Sequence, residues 1–438
     1  YERMLIGVIL VLLLIGMVNF INLYMVYTMK RQKEYGIKKV FGLKGFPFFL
    51  QVWLENVLLA FSALMVAWLL VENTIPLCER LMNEPMKGYN LFDLQLSLTF
   101  LAVFPLITSI YPFIKHNYLR PITSLRSVSG SRESIVVRMS FLFLQYAITL
   151  ILLIVAIYFN RHLNFLQNTP TGFRSEGILY AQLVNESQFD HGITHDVSKE
   201  RGEMIKKHIS IYEQKLNECP FIEKWTPNRS ESILHSQSQS DIFNDKDESH
   251  KLLLRFIGKN FFDIHGLKIT DGKLPDSEKM RLDQNIVLNE TAMKLFGYKE
   301  VEEAFIRSKE ALWFSYNTET QKVVQGGLEP MPVQAVVSDF YSGHVSEGVK
   351  PILFIVNNER MEGSVAITVQ KGKEKETIDY LKQMVKEATG SDEFVYSWLQ
   401  DEVDALYDDD HRLTIIYNIF ALVGIMVCCL GLFGISLF

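Results

Sequence analysis

Long apolar runs lie near both ends of the chain, and a mainly polar stretch separates them. A helix needs about 20 mostly apolar residues to cross a bilayer core, and five runs meet that length. We predict membrane-spanning helices over residues 1–29, 48–71, 94–114, 139–160 and 413–438. Residues 161–412 read as a soluble domain, long enough to bury its own core. The predicted fold class is therefore a membrane α-helical protein with a mixed α+β domain between the fourth and fifth spans.

The segments that connect the spans differ in charge, which orients the helices. Residues 30–47 carry six basic side chains and one acid, and residues 115–138 carry five basic side chains and one acid. The loop 72–93 carries four acids and two bases. Because basic loops stay in the cytoplasm, 30–47 and 115–138 are predicted to be cytoplasmic. Residues 161–412 then lie on the extracytoplasmic side.

The two ends of the chain suggest that it is a fragment. It begins at Tyr1 rather than at methionine, and it stops at Phe438 inside or just after an apolar run. No signal-type cleavage site follows the first apolar run. We therefore expect the first helix to be an internal span of a longer polypeptide and not a signal peptide.

Two strand-helix-strand patterns bracket the polar domain. A period-2 or period-3.6 spacing of apolar residues carries each prediction. The first pattern has its elements at 177–184, 198–217 and 221–225, and the second at 365–369, 374–389 and 394–398. The middle portion holds short strands at 252–257, 285–288, 333–337 and 352–356, with a helix at 290–296. This predicts a βαβ subdomain with an inserted β-rich subdomain, and a mobile loop over the low-complexity stretch 230–242.

The cytoplasmic segment 30–47, here called the elbow, has a helical pattern although it is too polar to span a membrane. Ile37, Val40, Phe41 and Lys44 share a helical face, which predicts a short amphipathic helix on the inner surface. One interpretation is a basic interfacial helix that only follows the charge rule. The other is a docking element for a cytoplasmic partner, with Tyr35, Ile37 and Phe41 as anchors and the lysines as steering charges.

The sequence R-Q-K-E-Y-G-I-K-K-V-F-G in the elbow resembles the R-x-x-E-I-G-I-R-K-x-x-G signature of FtsX-like ABC transporter permeases, the group of MacB, LolC/LolE and FtsX. Tyr35 replaces the usual isoleucine, and Lys38 replaces an arginine. Glu55 in the next span matches a glutamate common in that family, with snorkelling or capping of the elbow as its expected role. The resemblance implies these ATPase-coupling residues: Arg31, Lys33, Glu34, Tyr35, Gly36, Ile37, Lys38, Lys39, Val40, Phe41 and Gly42.

Two segments of the polar domain are similar to the MacB-type periplasmic core. Residues 286–292 (IVLNETA) resemble its V-V-L-N-E-T segment, and residues 336–341 (VVSDFY) resemble its V-V-x-D-F stretch. The glycine-rich last span is analogous to the first, as in the two-repeat branch of the family, so the chain would hold spans two to six of eight. The small residues expected to allow close helix packing are Gly7, Gly16, Gly424, Gly431 and Gly434.

A search for catalytic or metal-binding motifs finds none that we assign. The sequence has no G-x-x-x-x-G-K-[ST] loop, no H-E-x-x-H and no G-x-S-x-G. His191 and His195 have a spacing of four but no third ligand nearby, so we expect no metal site. Cys78 and Cys219 both fall outside the cytoplasm, where they either pair or stay single. We expect no enzyme and no cofactor in this chain, with ATP and magnesium on a partner ATPase.

By resemblance, the chain is a permease subunit that transmits ATPase-driven motion across a bacterial inner membrane to its extracytoplasmic domain, for export or efflux. The expected partners are a cytoplasmic ABC ATPase, the lipid bilayer and either a second permease unit or a periplasmic protein. No strongly basic face suggests nucleic acid. Two alternatives stay open: a membrane receptor or scaffold with an extracytoplasmic sensor, and an FtsX-like regulator of cell-wall hydrolases.

Overall fold

The structure is a computed structural model, and it divides into two compact units. The helical unit comprises Tyr1–Phe165 and Asp409–Phe438, and the α/β unit comprises Leu166–Asp408. The residues described are 2–42, 45–82, 85, 91–118, 132–183, 210–228, 232–234, 238–258, 260–274, 286–317, 322–356, 364–389 and 392–436.

Eleven helices occur in the described residues. They are α1 (Glu2–Lys30), α2 (Gln32–Val40), α3 (Phe46–Met82), α4 (Leu91–Tyr118), α5 (Arg132–Asn168), α6 (described over 210–218), α7 (Phe261–Ile264), α8 (Glu290–Phe296), α9 (Glu374–Thr389), α10 (Leu399–Ala405) and α11 (Asp408–Ser436).

Thirteen strands occur in the same residues. They are β1 (Ile178–Gln182), β2 (Ile222–Asn228), β3 (Gln239–Asn244), β4 (Ser249–Ile257), β5 (Ile269–Gly272), β6 (Ile286–Asn289), β7 (Phe305–Ser308), β8 (Trp313–Asn317), β9 (Lys322–Gly326), β10 (Met331–Val337), β11 (Ile352–Val356), β12 (Ser364–Val369) and β13 (Val395–Trp398).

The helical unit contains the predicted spans. Among the described residues, four stretches are long and apolar enough to cross a membrane: Phe46–Arg80, Leu91–Ile110, Met139–Asn168 and Asp408–Phe433. The helix α1 adds a shorter apolar stretch at Ile6–Ile21. The predicted class, membrane helices combined with a mixed α+β domain, is confirmed.

The helix α3 continues to Met82, although the sequence predicted a loop from residue 72. The Asn73 amide donates to the Leu69 carbonyl at 2.7 Å, and the Thr74 hydroxyl donates to the Leu70 carbonyl at 2.9 Å. These bonds hold polar side chains against the helix, so polarity alone does not end it. Pro76 lies inside the helix, where it removes one backbone hydrogen-bond donor, and the helix continues beyond it to Met82.

Four strands of the α/β unit form an antiparallel sheet in the order β13-β1-β12-β2. In chain order these are the fourth, first, third and second strands, which is the arrangement of a split βαβ motif. Residues of α6 and α9 share one hydrophobic cluster with this sheet, including Tyr212, Leu216 and Leu381. The predicted βαβ subdomain is confirmed, and α9 has the predicted bounds.

The inserted subdomain lies between β2 and β12 in the chain. Its strands pair in the cycle β4-β3-β7-β10-β6-β11 and back to β4, so the six strands close on themselves. Alternate residues of these strands belong to two different hydrophobic clusters, as the period of two requires. In addition, β5 pairs with β10, and β8 and β9 form a separate hairpin.

The structure corrects the prediction of a mobile loop over residues 230–242. Residues from Gln239 onward form β3, which pairs with β4 and β7. Ile233, Leu234 and Ile242 are buried. Three apolar side chains among serines and glutamines are enough to anchor the segment, because each one reaches a core that the local composition does not reveal. Residues 230–231 and 235–237 of this stretch lie outside the described part.

Candidate functional site

The elbow contains a short helix between two long ones. The helix α1 ends at Lys30, α2 begins at Gln32, and α3 begins at Phe46. Gly42 and Gly45, which follow α2, have φ values of 95° and 62°. This left-handed region strains any residue with a Cβ, so glycine suits both positions. Gly42 of the signature is thus explained by the turn.

The Arg31 guanidinium links three helices at the start of the elbow. Its Nε and Nη2 donate to the two Glu34 carboxylate oxygens at 2.8 and 2.9 Å. Its Nη1 donates to Glu55 Oε2 in α3 at 3.0 Å and to the Tyr27 hydroxyl in α1 at 2.9 Å. A planar guanidinium is suited to such paired contacts. Glu55 therefore holds the elbow through Arg31.

A second ion pair continues along α2. Lys38 Nζ lies 2.8 Å from Glu34 Oε1, one turn away. The hydrogen bonds from Arg31 and then Lys38 lower the pKa of the Glu34 carboxyl to about 2. Glu34 therefore carries its charge across the physiological pH range and keeps Arg31 and Lys38 on one side of α2.

Tyr35, one of the three anchors of the docking interpretation, is buried. Its side chain is 5% exposed and packs in a cluster with Tyr24, Phe48 and Val52. The Tyr35 and Phe48 rings meet edge to face at 5.2 Å between centroids. Burial raises the pKa of the Tyr35 hydroxyl to about 12. Tyr35 therefore faces α3, a direction that helical spacing alone does not give.

The opposite side of α2 presents apolar side chains to solvent. Ile37, Val40 and Phe41 are 49%, 62% and 87% exposed, and they are here called the apolar patch. Exposed apolar side chains that are grouped together mark interaction sites. The helix α2 also contains Lys33, Gly36 and Lys39, and the surroundings of these three residues are outside the described part of the chain.

The glycines of the spans differ in their surroundings. A Cβ at Gly431 would lie 2.8 Å from Asn19 Oδ1 and 3.2 Å from the Gln145 amide, so α1, α5 and α11 approach closely there. A Cβ at Gly424 would make ordinary contacts at 3.5 Å. Gly7 and Gly16 have no described atom within 4 Å of that position. Gly434 lies in α11, and its surroundings are outside the described part.

Polar side-chain contacts near Gly431 join α5 to α11. The Gln145 amide donates to the Val427 carbonyl at 3.0 Å, and the Thr149 hydroxyl lies 2.9 Å from Cys428 Sγ. Inside a bilayer such polar side chains are satisfied by neighbouring helices rather than by water.

The two core-like motifs of the α/β unit belong to one hydrogen-bond network. Asp339 Oδ1 accepts from the Asn289 amide and the Thr291 backbone N–H, both at 2.9 Å, and Oδ2 accepts from the Thr291 hydroxyl at 2.8 Å. Asn289 Oδ1 caps α8 through the Ala292 N–H and also accepts from the Ile352 N–H. These residues therefore join β6, α8, β10 and β11 and have a structural role. The sequence marked both motifs but not that they touch.

No group of histidines, cysteines and acids that could hold a metal occurs among the described residues. His191 and His195 lie outside them. Cys78, in the helical unit, and Cys219, in the α/β unit, are both free thiols in the structure.

Residues 6–120 match the family model described as FtsX-like permease C-terminal. This range contains α1 to α4 and the whole elbow, with Arg31, Tyr35 and the apolar patch. The resemblance drawn from the elbow signature is confirmed, since these residues are similar to the FtsX-like permease C-terminal family.

Two solved structures are similar to the chain. The periplasmic region of MacB from Actinobacillus actinomycetemcomitans is 17% identical, with a TM-score of 0.32, and the match covers 53% of this chain and 94% of that one. The extracellular domain of the noncanonical ABC-type transporter YknZ from Gram-positive bacteria is 13% identical, with a TM-score of 0.30. This match covers 44% of this chain and 87% of that one. No curated protein matches the chain.

Proposed function

We propose that this chain is the membrane subunit of an ABC transporter complex and transmits the motion of a separate cytoplasmic ATPase to the α/β unit. The observation that carries the proposal is the apolar patch, Ile37, Val40 and Phe41, on a helix whose other side is firmly packed. A docking element needs both properties, an exposed anchor and a rigid support.

The patch has the chemistry of a docking site. Phe41 is the most exposed of its three side chains and can insert into a groove of a partner as an aromatic anchor. Lys38 is partly exposed beside it and supplies a positive charge at the rim. An interfacial helix that only rested on lipid headgroups would need neither the Arg31 contacts to three helices nor the turn with Gly42 and Gly45.

The packing of the elbow supports its use as a lever. Tyr35 fills a cluster with residues of α1 and α3, and Arg31 bonds to both of those helices. A force on α2 therefore acts on two spans together rather than on a loose loop. We propose that ATP binding by the partner favours one of two arrangements of the spans, as a two-state coupling requires.

The segments at the two ends of the α/β unit pack into its hydrophobic core. Leu166 from the last residues of α5 is buried in the same cluster as Leu399 and Val403 of α10 and the adjoining Tyr407. Because these residues are packed, a displacement of either connection acts on the core of that unit. This arrangement supports transmission of motion better than two flexible linkers would.

The remaining assignments follow the same proposal. ATP and magnesium bind the ATPase, since this sequence has no P-loop. The membrane is the bacterial inner membrane, with the elbow inside and the α/β unit outside, in accord with the basic elbow. Export or efflux is the proposed purpose, in company with a second permease unit or a periplasmic partner.

The test is co-purification of the full-length protein with the ATPase encoded beside it. We expect Ile37→Glu with Phe41→Glu to abolish the association, because both replace patch side chains by acids. Phe305→Glu is the matched control, since Phe305 is 40% exposed in the α/β unit. An unchanged elution profile from size exclusion shows that each variant is folded.

Two outcomes would contradict the proposal. If no ATPase associates with the wild type, the receptor or scaffold alternative becomes the better explanation. If the ATPase associates equally with the elbow variant and with the Phe305→Glu control, the patch is not the docking site.

A further inference from the structure

A cavity of about 200 Å³ lies at the edge of the four-stranded sheet of the α/β unit. Since liquid water takes about 30 Å³ per molecule, the cavity has room for several waters or for one long side chain. Its walls come from β1, β12, β13 and α10. The polar residues that line it are Gln182, Ser232, Ser364, Ser397 and Glu402.

The carboxylate of Glu402 lacks a full set of hydrogen-bond donors. Its Oε1 accepts from the Ser397 hydroxyl at 2.5 Å. Its Oε2 is shielded from solvent and has no donor among the residues that the structure describes. A shielded carboxylate oxygen without a donor is costly, so the arrangement favours a ligand that brings one. Among the residues that the structure describes, neither a lysine nor an arginine lines the cavity, so those residues supply no cationic donor to Glu402.

The cavity adjoins a strand edge that no described strand occupies. β13 pairs with β1 on one side and is the last strand of its sheet. Val395 and Tyr396 on this strand are 58% and 42% exposed. An exposed edge of this kind can take up another extended chain through backbone hydrogen bonds.

The register of β13 directs side chains of an added strand toward the cavity. Ser397 lies opposite Tyr180, and Val395 lies opposite Gln182, and all four line the cavity. Residues that face each other across a strand pair project to the same face of the sheet. A residue added opposite Ser397 therefore projects its side chain to the face on which Glu402 lies.

The charge around this edge selects for basic chains. Residues 392–404, which contain β13 and most of α10, carry five acids and neither lysine nor arginine. One of these acids, Asp392, forms an ion pair with Lys386. A field of one sign attracts and orients ligands of the opposite sign before contact. The negative charge alone does not define a site. It favours the same kind of ligand as Glu402 does, one that brings a cationic hydrogen-bond donor.

We propose that β13 and the adjoining cavity bind an extended, lysine-bearing peptide of a separate polypeptide. The peptide adds to β13 as a further strand, and one lysine ammonium donates to Glu402 in the cavity. This site goes beyond the proposed coupling function, because it needs no ATPase and does not involve the elbow.

The test measures peptide binding to the full-length protein in detergent micelles by fluorescence anisotropy. The probe is an acetylated and amidated Thr-Val-Lys-Val-Thr peptide with a neutral dye. Glu402→Gln keeps the shape of the side chain and the acceptor for Ser397. Asp401→Asn is the matched control, since Asp401 is exposed on the same helix, carries the same charge and does not line the cavity.

We expect Glu402→Gln to weaken binding about tenfold and Asp401→Asn less than about threefold, because only Glu402 meets the ammonium directly. The peptide with glutamine in place of lysine should bind the wild type and Glu402→Gln equally. Methylation of the peptide backbone nitrogens that face β13 should abolish binding. Matching melting temperatures establish that both variants are folded.

Three results would overturn the proposal. Equal losses for Glu402→Gln and Asp401→Asn would mean that general acidity attracts the peptide rather than the cavity. Undiminished binding of the methylated peptide would exclude strand addition. A wild-type protein that does not bind the lysine peptide would remove the site altogether.

Discussion

Replacing Tyr35 by alanine should open the elbow, while replacing Phe41 by alanine should leave it closed. The two aromatic residues are six positions apart, yet Tyr35 is 5% exposed and Phe41 is 87% exposed. Removal of a buried aromatic ring typically costs about 3–5 kcal/mol, because a cavity remains. The lost contact between the Tyr35 ring and Arg31 adds about 0.5–1 kcal/mol. Truncation of the exposed Phe41 should change stability by at most about 0.5 kcal/mol.

Limited trypsin digestion of the full-length protein in micelles measures this difference, because Arg31 and Lys38 are cleavage sites within the elbow. A loss of about 3 kcal/mol raises the population of the open elbow, and with it the cleavage rate, by roughly a hundredfold. Tyr35→Phe is the control, since it keeps the ring that packs on Phe48. Equal cleavage rates for Tyr35→Ala and Phe41→Ala would refute the assignment of the buried and exposed sides of α2.

Two further substitutions test the packing of each unit. Gly431→Ala should lower the melting temperature, since its Cβ would lie 2.8 Å from Asn19 Oδ1 and the Asn19 and Gln145 amide groups would have to shift. Because these are the ends of side chains, we expect a cost of about 1 kcal/mol, the low end for overpacking. Gly16→Ala should leave the melting temperature unchanged, because its Cβ meets nothing within 4 Å. An equal shift for both glycine variants would contradict the close approach at Gly431. Asp339→Ala should destabilise the α/β unit by about 2–3 kcal/mol in denaturant unfolding, because it leaves the buried Asn289 amide and the Thr291 N–H without their acceptor. An unchanged unfolding midpoint for Asp339→Ala would show that the network is not structural.

The spans and the elbow could be predicted from the sequence because their physical cause is local. A bilayer imposes one length and one polarity on every helix that crosses it, so apolar runs identify α3, α4, α5 and α11 without knowledge of their neighbours. The basic elbow and its signature are equally local, and the family match over 6–120 confirms that part. The periodicity of α9 predicted its bounds correctly for the same reason.

The side that each residue faces depends on distant parts of the chain and could not be predicted. Tyr35 was grouped with Ile37 and Phe41 as a docking anchor, yet it packs on Phe48, which follows the glycine turn. Asn289 and Asp339 lie fifty positions apart and were marked as separate motifs, yet they share a hydrogen bond. The serine-rich stretch before β3 was expected to be mobile, but Ile233 is fully buried.

The cavity beside β13 shows the same division most clearly. The acids of residues 392–404 are visible in the sequence as a charge run, which by itself indicates only a solvated surface. Glu402 differs from the others because β1, β13 and α10 enclose it and exclude water from one carboxylate oxygen. Desolvation is set by the atoms that surround a group in space, and those atoms come from segments more than two hundred residues apart, whereas bilayer insertion is set by the composition of one continuous segment.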